Sequence, residues 1–262
     1  MISKYELSIV AIVKNEGQYI KEWIDYHHLI GIDHIFLFDN GSDDNTKDVA
    51  KKYVDKGFIT LIDYPGLKKQ ISAYNYAIRR FKKLSKYIAF IDADEFIYVH
   101  NNDIKGTIKS ILKKDPKAAG VAVNWRMFGA AGHETKPEGF VIENYLYRAE
   151  YGKKGNNCVK SIVNPRKVLF FHNPHYPIYF PIWHSIDENG RIVKKWSNDV
   201  EETKYIQLNH YFTKSKEEWI KRRSTARADN GKKRALEEFN EHNNNDIFDD
   251  SMLKYANVLK RK

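Results

Sequence analysis

The chain has 262 residues, a net charge of +10, 42% hydrophobic residues and a single cysteine, Cys158. This composition predicts a packed globular protein, and the lone cysteine excludes a disulfide framework and a cysteine-based zinc site within one chain. No apolar run reaches the roughly 18 residues of a membrane-spanning helix, and the N-terminal segment has no cleavage-site pattern, so we expect a cytoplasmic protein.

The first hundred residues alternate between apolar runs of strand length and apolar stripes with a helical period. The runs predict strands at 7–13, 34–39, 58–62 and 87–91, and the stripes predict helices at 17–31, 49–54 and 69–84. Alternation of this kind, with fully apolar strands, predicts an α/β fold whose mainly parallel sheet has helices on both faces. Asn15 is expected to cap the first helix, with Gln18 three residues on.

The patterns are weaker beyond residue 100. Strands are expected at 118–129, 141–149, 158–165 and 205–212, with a glycine-rich loop at 129–140. Three prolines predict an irregular segment at 172–184. A helix is expected after Ser215, which has Glu218 in the capping-box position, and the polar tail predicts one more helix.

Polar residues that the strand pattern does not explain follow each of the first four predicted strands. They form the segments 14–17, 39–45, 64–66 and 92–95. In open sheets of parallel strands, ligands bind outside the carboxyl ends of the strands. The four segments therefore predict a ligand site at one edge of the sheet.

The segment 92–95 places Asp92 and Asp94 two residues apart at a strand end. Side chains at this spacing lie on the same side, and two such carboxylates repel each other unless a cation lies between them. Mg²⁺ and Mn²⁺ prefer such oxygens and complete their shell with water and nucleotide phosphates. The pair therefore predicts a metal that bridges the protein and a diphosphate, with an Asp turn as the alternative. Aspartates that point away from an open cleft, or that are already paired with Lys or Arg, would remove the case for the metal and for any reaction that depends on it.

Several segments of the chain resemble the inverting GT-A glycosyltransferases. The likeness is strongest to a branch of the family-two-like enzymes that includes galactosyltransferases formerly known only as a domain of unknown function. It covers about residues 6 to 230 and is carried by the segments 8–46, 71–80, 87–96, 124–133, 159–168 and 208–223.

The resemblance implies a metal-dependent, inverting enzyme that moves a hexose, of the galactose or glucose type, from a UDP-sugar to a hydroxyl of a glycan. The implied cofactor is Mn²⁺ or Mg²⁺. The implied organisation is a GT-A domain at 1–230, with a nucleotide-sugar half at 1–100 and an acceptor half at 101–230, and a helical C-terminal extension at 231–262.

The resemblance also implies roles for individual residues. The implied donor-binding residues are Val13, Asn15 and Glu16 at the base and ribose, Asp39 at the uracil, Gln70 and Asn75 beneath the nucleotide, Asp92 at the ribose, and His172 at the diphosphate. The implied metal ligands are Asp92, Asp94 and His210. A core position is the alternative for His210, and packing beside Pro174 is the alternative for His172.

An inverting transfer needs a base that takes the proton of the acceptor hydroxyl. The loop at 129–140 supplies Glu134, which we predict to be the base, with His133 as the alternative. The acidic pair that many family-two enzymes carry there is missing. Glu95 is a third candidate, unless it caps a following helix.

The acceptor side is basic. Residues 101–262 contain 30 basic and 20 acidic residues and carry the whole net charge. Basic and apolar residues alternate in 219–239, which predicts peripheral contact with an anionic membrane at its cytoplasmic face, where a lipid-linked, lipopolysaccharide or capsule-type glycan would be the acceptor. An ordinary basic surface helix is the alternative.

Three other functions fit parts of the sequence. A phosphatase with a DxD motif would carry the motif after its first strand, whereas here it follows the fourth. A nucleic-acid binder would explain the basic charge but not the acidic strand ends, which repel phosphates, so we expect no nucleic-acid partner. A non-catalytic saccharide-binding protein would not need both Asp92 and Asp94.

Overall fold

A computed structural model describes residues 3–153, 155–199, 202–222, 233, 235 and 237–261. The strands are β1 (Tyr5–Val13), β2 (His34–Asp39), β3 (Ile59–Asp63), β4 (Ser85–Phe90), β5 (Glu95–Val99), β6 (Ala118–Met127), β7 (Tyr147–Arg148), β8 (Val159–Val163), β9 (Val168–Phe171), β10 (Pro177–Tyr179), β11 (His184–Ile186), β12 (Ile192–Val193), β13 (Ile206–His210) and β14 (Ile247–Phe248). The helices are α1 (Ile20–Leu29), α2 (Thr46–Val54), α3 (Gln70–Phe81), α4 (Ile104–Leu112), α5 (Val141–Asn144), α6 (Lys216–Arg222), α7 (Glu237–His242) and α8 (Leu253–Leu259).

The central sheet has the strand order β12-β11-β6-β8-β4-β1-β2-β3, and β13 joins it by pairing with β6 and β5. Strands β1 to β4 pair in parallel, as predicted. The second half of the sheet is mixed, because β8 lies antiparallel between β4 and β6. This insertion places residues of β8 beside the end of β4, where the acidic segment begins.

Helices cover both faces of the sheet, so the predicted α/β class is confirmed. One face packs on α1, α2, α4 and α8, and the other packs on α3 and on the hairpin of β9 and β10. Apolar side chains at a helical spacing drive this packing, as in Trp23 of α1 and Tyr74 of α3, which are both fully buried. Helix α8 contributes Ala256 and Leu259 to the main core, so the C-terminal extension packs on the sheet-bearing part of the chain.

Three local predictions were wrong. Helix α1 begins at Ile20 without a side-chain cap, because the Oδ1 of Asn15 instead accepts a hydrogen bond from the backbone N–H of Asp43. The segment 141–149 starts as helix α5, since the carboxylate of Glu22 accepts hydrogen bonds from two N–H groups at its first turn. The segment 172–184 is not wholly irregular, because it contains β10.

Glu22 gives the fold a pH dependence. Burial raises the pKa of this carboxyl from 4.5 to about 7, although the N–H groups of Ile142 and Val141 lower it. A pKa raised by folding contributes stability at low pH, and this contribution is lost as the pH rises from 4.5 through 7. The loss amounts to at most about 3 kcal/mol.

We therefore expect the Glu22→Gln variant to have a flatter profile of unfolding free energy between pH 4.5 and 8 than the wild type. Urea unfolding followed by circular dichroism measures this profile. Glu138→Gln, at an exposed position, is the matched control and should follow the wild type. Parallel profiles of all three proteins would contradict the assignment to Glu22.

Candidate active site

A cleft of about 430 Å³ lies at the carboxyl ends of β1 and β4, and residues of β13 and α6 form its other side. The position is the one that the strand ends predict. Its lining includes four carboxylates and four basic groups, namely Glu16, Asp92, Asp94, Glu218, Lys14, Lys214, Lys221 and Arg222. His175 and His210 also line it, beside the ring of Trp125, at centroid distances of 5.2 and 4.3 Å.

The loops after β1 and β2 are bound to each other at the rim of the cleft. Asn15 has a left-handed backbone (φ 58°), and its backbone N–H donates to the hydroxyl of Ser42. The backbone N–H of Gly17 donates to Asp44 over 2.9 Å, and a Cβ at this glycine would collide with the side chains of Asp44 and Asn45. A side chain at residue 17 would therefore make Asp44 and Asn45 shift at the contact between the two loops.

Asp94 is 4% exposed and lies between Arg222 and His210. Its Oδ2 accepts a hydrogen bond of 2.6 Å from Arg222, and its Oδ1 lies 3.5 Å from the Nε2 of His210. Burial raises the pKa of Asp94, but the charges of Arg222 and His210 outweigh burial and hold it well below its usual value. The carboxylate is therefore ionised over the whole physiological pH range.

Asp92 is more exposed and has its own basic partner. Its Oδ1 accepts a hydrogen bond of 2.6 Å from the amide of Gln70, and its Oδ2 accepts one of 2.9 Å from the Nζ of Lys160. Lys160 is a fully buried residue of β8. Burial lowers its pKa, but Asp92 and Glu95 outweigh burial and raise the pKa, so the ammonium remains charged.

Glu95 lies beneath the cleft and not in its lining. Its side chain is fully buried, and its Oε2 accepts a hydrogen bond of 2.8 Å from the backbone N–H of Asp92. Burial raises the pKa of Glu95 well above its usual value, Lys160 opposes this shift, and Asp92 and Asp94 add to it. Glu95 opens β5 and not a helix, so it caps the turn that precedes it instead of a following helix.

The acidic strand end fits a metal site of two protein ligands. Asp94 and His210 present oxygen and nitrogen atoms 3.5 Å apart in the lining, a spacing that allows both to bind one ion. Asp92 is turned to Gln70 and Lys160, and among the described residues no three His, Cys, Asp or Glu side chains are grouped to hold a metal. Both aspartates are already paired with basic groups, Asp94 with Arg222 and Asp92 with Lys160. These groups supply the positive charge that a metal would otherwise supply, which speaks against a metal.

A family model identifies the chain. The model of glycosyltransferase family 92 matches residues 8–248. The chain belongs to this family. The resemblance to glycosyltransferases seen in the sequence is thereby confirmed.

The family 92 chain is also similar to individual proteins. It is 26% identical to a glycosyltransferase family 92 protein of Ricinus communis over 65% of this chain and 32% of that protein. It is 29% identical to galactan beta-1,4-galactosyltransferase GALS3 of Arabidopsis thaliana over 37% of this chain and 20% of that protein. The chain thus spans about a third or less of the length of these curated relatives. Among solved structures, S. aureus TarS 1-349 has a TM-score of 0.42 at 14% identity, over 79% of this chain and 60% of that one.

The structure brings some of the predicted residues of this family 92 chain into the cleft and not others. Asn15, Glu16, Gln70, Asp92, Asp94 and His210 line it. Val13 and Asp39 are buried behind the rim. The Oδ2 of Asp39 accepts hydrogen bonds from the backbone N–H groups of Gly41 and Ser42. Asp39 therefore lies outside the cleft with one buried oxygen, its Oδ1, that has no partner among the described residues.

Besides Val13 and Asp39, four further predicted residues lie outside the lining. Asn75 uses its amide on the backbone of Phe171, and His172 is exposed beside Asn173. The side chain of Glu134 is 76% exposed and paired with Lys216, and His133 contacts the backbone of Asn144. These contacts give all four residues a structural role and separate them from the acidic strand end.

Sequence patterns missed four side chains of the site. Lys160, His175, Lys214 and Arg222 meet the acidic residues or line the cleft next to them. A lysine within the apolar run 159–163 was a usable signal, because a lysine is almost never buried without a partner. His175 gave no such signal. It lies in the same irregular segment as His172, and the residues around the two histidines do not distinguish them.

Lys160 allows a test of the charge network in this family 92 chain. The Lys160→Met variant leaves the partly exposed Asp92 without its ammonium partner, so we expect the free energy of unfolding to fall by about 1–3 kcal/mol. Urea unfolding measures the loss. Lys194→Met, at an exposed position of the same chain, should change stability by less than about 0.5 kcal/mol. Equal stabilities of the two variants would show that Lys160 does not hold the acidic strand end.

Proposed function

We propose that this family 92 chain transfers a hexose from a UDP-sugar to a hydroxyl of a glycan, with inversion at the anomeric carbon. The observation that carries the proposal is the convergence of Asp92, Asp94 and His210 on a single cleft at the strand ends. The family match favours sugar transfer over the phosphatase, nucleic-acid-binding and saccharide-binding alternatives. A galactose-type or glucose-type donor is proposed, and the galactosyltransferase named among the relatives supports galactose.

The leaving diphosphate needs positive charge as the glycosidic bond breaks. Asp94 and His210 are the residues that would hold Mn²⁺ or Mg²⁺, and the ion would place its charge beside the leaving group. Lys214 and Arg222 add cationic groups of the protein to the same wall. Lys214 is held in place by the ring of Tyr19, 3.5 Å from its Nζ, and has a left-handed backbone (φ 50°).

The base is better supplied by His175 than by Glu134 or His133. His175 lines the cleft, and its Nδ1 lies 3.0 Å from the carbonyl of Val159. That contact fixes the proton on Nδ1 and leaves Nε2 as the acceptor. Burial lowers the pKa of His175 to about 4, helped by the charge of Lys160, so the ring is neutral at pH 7. Glu218 also lines the cleft, but its carboxylate oxygens already accept hydrogen bonds from three hydroxyl groups.

The acceptor we propose is a lipid-linked, lipopolysaccharide or capsule-type glycan, used at the cytoplasmic face of a membrane. The excess of basic residues in the second half of the chain supports an anionic surface as the place of work. Among the residues that the structure describes, no helix is long and apolar enough to cross a bilayer. Most of the segment 219–239 that suggested membrane contact lies outside the described residues.

Replacement of Asp94 tests the donor site. We expect Asp94→Asn to lower UDP release from the best donor of a UDP-sugar screen with Mn²⁺ by two orders of magnitude or more, because the cleft loses the carboxylate that binds its cations. Asp25→Asn, which also removes an ion-paired carboxylate, is the control and should keep the wild-type rate. Calorimetric titration with Mn²⁺ gives an independent readout, in which Asp94→Asn should lose binding. Unchanged UDP release by Asp94→Asn would reject the site.

The two assignments of the base predict opposite results. We expect His175→Gln to lower the transfer rate by about 10²–10⁴-fold with little change in UDP affinity, because general-base catalysis contributes that much. Glu134→Gln should leave the rate within twofold of the wild type. A rate loss in Glu134→Gln and none in His175→Gln would restore the prediction made from the sequence.

A further inference from the structure

We propose that the outer face of the β9–β10 hairpin, together with the end of α3, binds an anionic lipid bilayer. We call this face the hairpin surface and define it by four apolar residues, Leu169, Phe170, Phe180 and Ile182, and four basic residues, Arg79, Arg80, Lys82 and Lys83. This surface is separate from the segment 219–239, for which the sequence predicts membrane contact. It does not depend on the proposed chemistry.

The apolar side chains of this surface face solvent although they are large. Leu169, Phe170, Phe180 and Ile182 are 47%, 43%, 42% and 67% exposed. In most strands successive side chains alternate between the two faces, but here Leu169 and Phe170 are consecutive and both exposed. Ile178 pairs with Phe170, and the next residue, Tyr179, pairs with Val168. Leu169 therefore has no pairing partner and is the extra residue of a bulge. Bulges of this kind redirect side chains, and this one directs two apolar groups outward.

The backbone of the hairpin adds to this display. Ile182 has a left-handed backbone (φ 74°), which is costly for a β-branched residue and points to a function that the strain serves. Lys167 places its Nζ 3.7 Å from the ring of Trp183. A Trp with a nearby Lys is typical of side chains at a membrane interface, where one part is apolar and the other is charged.

The two segments that form this surface contain basic residues and no acidic ones, and Asp115 reaches the edge of the surface at His184. No Asp or Glu occurs in 64–91 or in 151–186, and these two segments hold seven and five basic residues. Arg79, Arg80, Lys82 and Lys83 are all exposed at the end of α3. The guanidinium of Arg166 donates to the backbone carbonyl of Lys83, so the end of α3 lies beside the start of the hairpin. Apolar groups ringed by cations match the headgroup region of an anionic bilayer, whereas an acidic soluble partner would not need the exposed apolar groups.

The hairpin also reaches the cleft. The segment that joins β9 to β10 contributes Pro174 and His175 to the lining. Asn75 ties β9 to α3 through two hydrogen bonds with the backbone of Phe171, so the basic helix end and the hairpin form one packed unit. Gln70 at the first residue of α3 lines the cleft, whereas the basic residues lie in or just after the last turn of α3, so a bilayer bound to the outer side of this unit lies toward the opposite end of α3 from the cleft.

Vesicle sedimentation tests the proposal with the full chain and without donor or metal. The probes are vesicles of dioleoylphosphatidylcholine alone and of equal parts of dioleoylphosphatidylcholine and dioleoylphosphatidylglycerol. We expect binding to the anionic vesicles only, with release as salt rises. The R79Q/R80Q/K82Q/K83Q variant should bind roughly two to three orders of magnitude more weakly, since each basic residue near an anionic surface contributes about fivefold. The F170S/I182S variant should bind about tenfold more weakly.

The K51Q/K52Q/K56Q/K113Q variant is the matched control, because it removes four charges from exposed positions on other elements. It should bind within a fewfold of the wild type. Thermal unfolding checks that all variants fold. Absence of wild-type binding, or equal losses in the two quadruple variants, would overturn the proposal. A change of oligomeric state in F170S/I182S without a change in vesicle binding would also overturn it and identify a self-association surface.

Discussion

Compensation of buried negative charge at the end of β4 is the constraint on which the cleft depends. Asp92, Asp94 and Glu95 lie within four residues, and Asp94 and Glu95 are almost fully buried. Buried carboxylates are costly unless each one is paired or protonated. The fold uses both solutions, since Lys160 and Arg222 pair with the two aspartates and Glu95 holds its proton. The cationic groups come from β8 and α6, so the second half of the chain completes a site that the first half begins.

This arrangement gives the cleft nearly balanced charges before any donor enters. The lysine and arginine on its wall are fixed by named contacts, Lys214 by the ring of Tyr19 and Arg222 by Asp94 and the carbonyl of Phe212. In the proposed function, such fixed charges would lose little conformational freedom when a diphosphate binds, so more of the binding energy would be available for catalysis. The left-handed residues Asn15 and Lys214 lie on the lining as well, which agrees with the tendency of strained backbone to occur at functional sites.

The sequence predicted the first half of this protein well, because its elements carry strong periodic signals. The strands at 34–39 and 118–129 and the acidic strand end follow directly from apolar runs and from the polar residues after them. Prediction failed where a distant residue decides the local structure. Glu22 turns 141–144 into a helix from more than a hundred residues away, and Asn15 binds a neighbouring loop instead of capping its own helix.

The same reason explains why some of the predicted residues lie outside the cleft. Glu134 lies in a glycine-rich loop that looks suitable for an acceptor site, but tertiary packing turns its side chain to solvent and brings His175 to the lining instead. Arg222 looks like one charge of a basic surface helix in the sequence. Only the docking of α6 beside the end of β4 gives it a partner.

The antiparallel pairing of β13 with β5 has a consequence for the order of folding. The backbone N–H of Tyr211 donates to the carbonyl of Asp94, and Arg222 binds the same residue from 128 positions along the chain. Contacts of such long sequence separation form late, after local strands and helices have assembled. A growing polypeptide therefore exposes unbalanced acidic groups until its last fifth arrives, so a fragment that ends near residue 200 would lack a finished cleft even if its first sheet had formed.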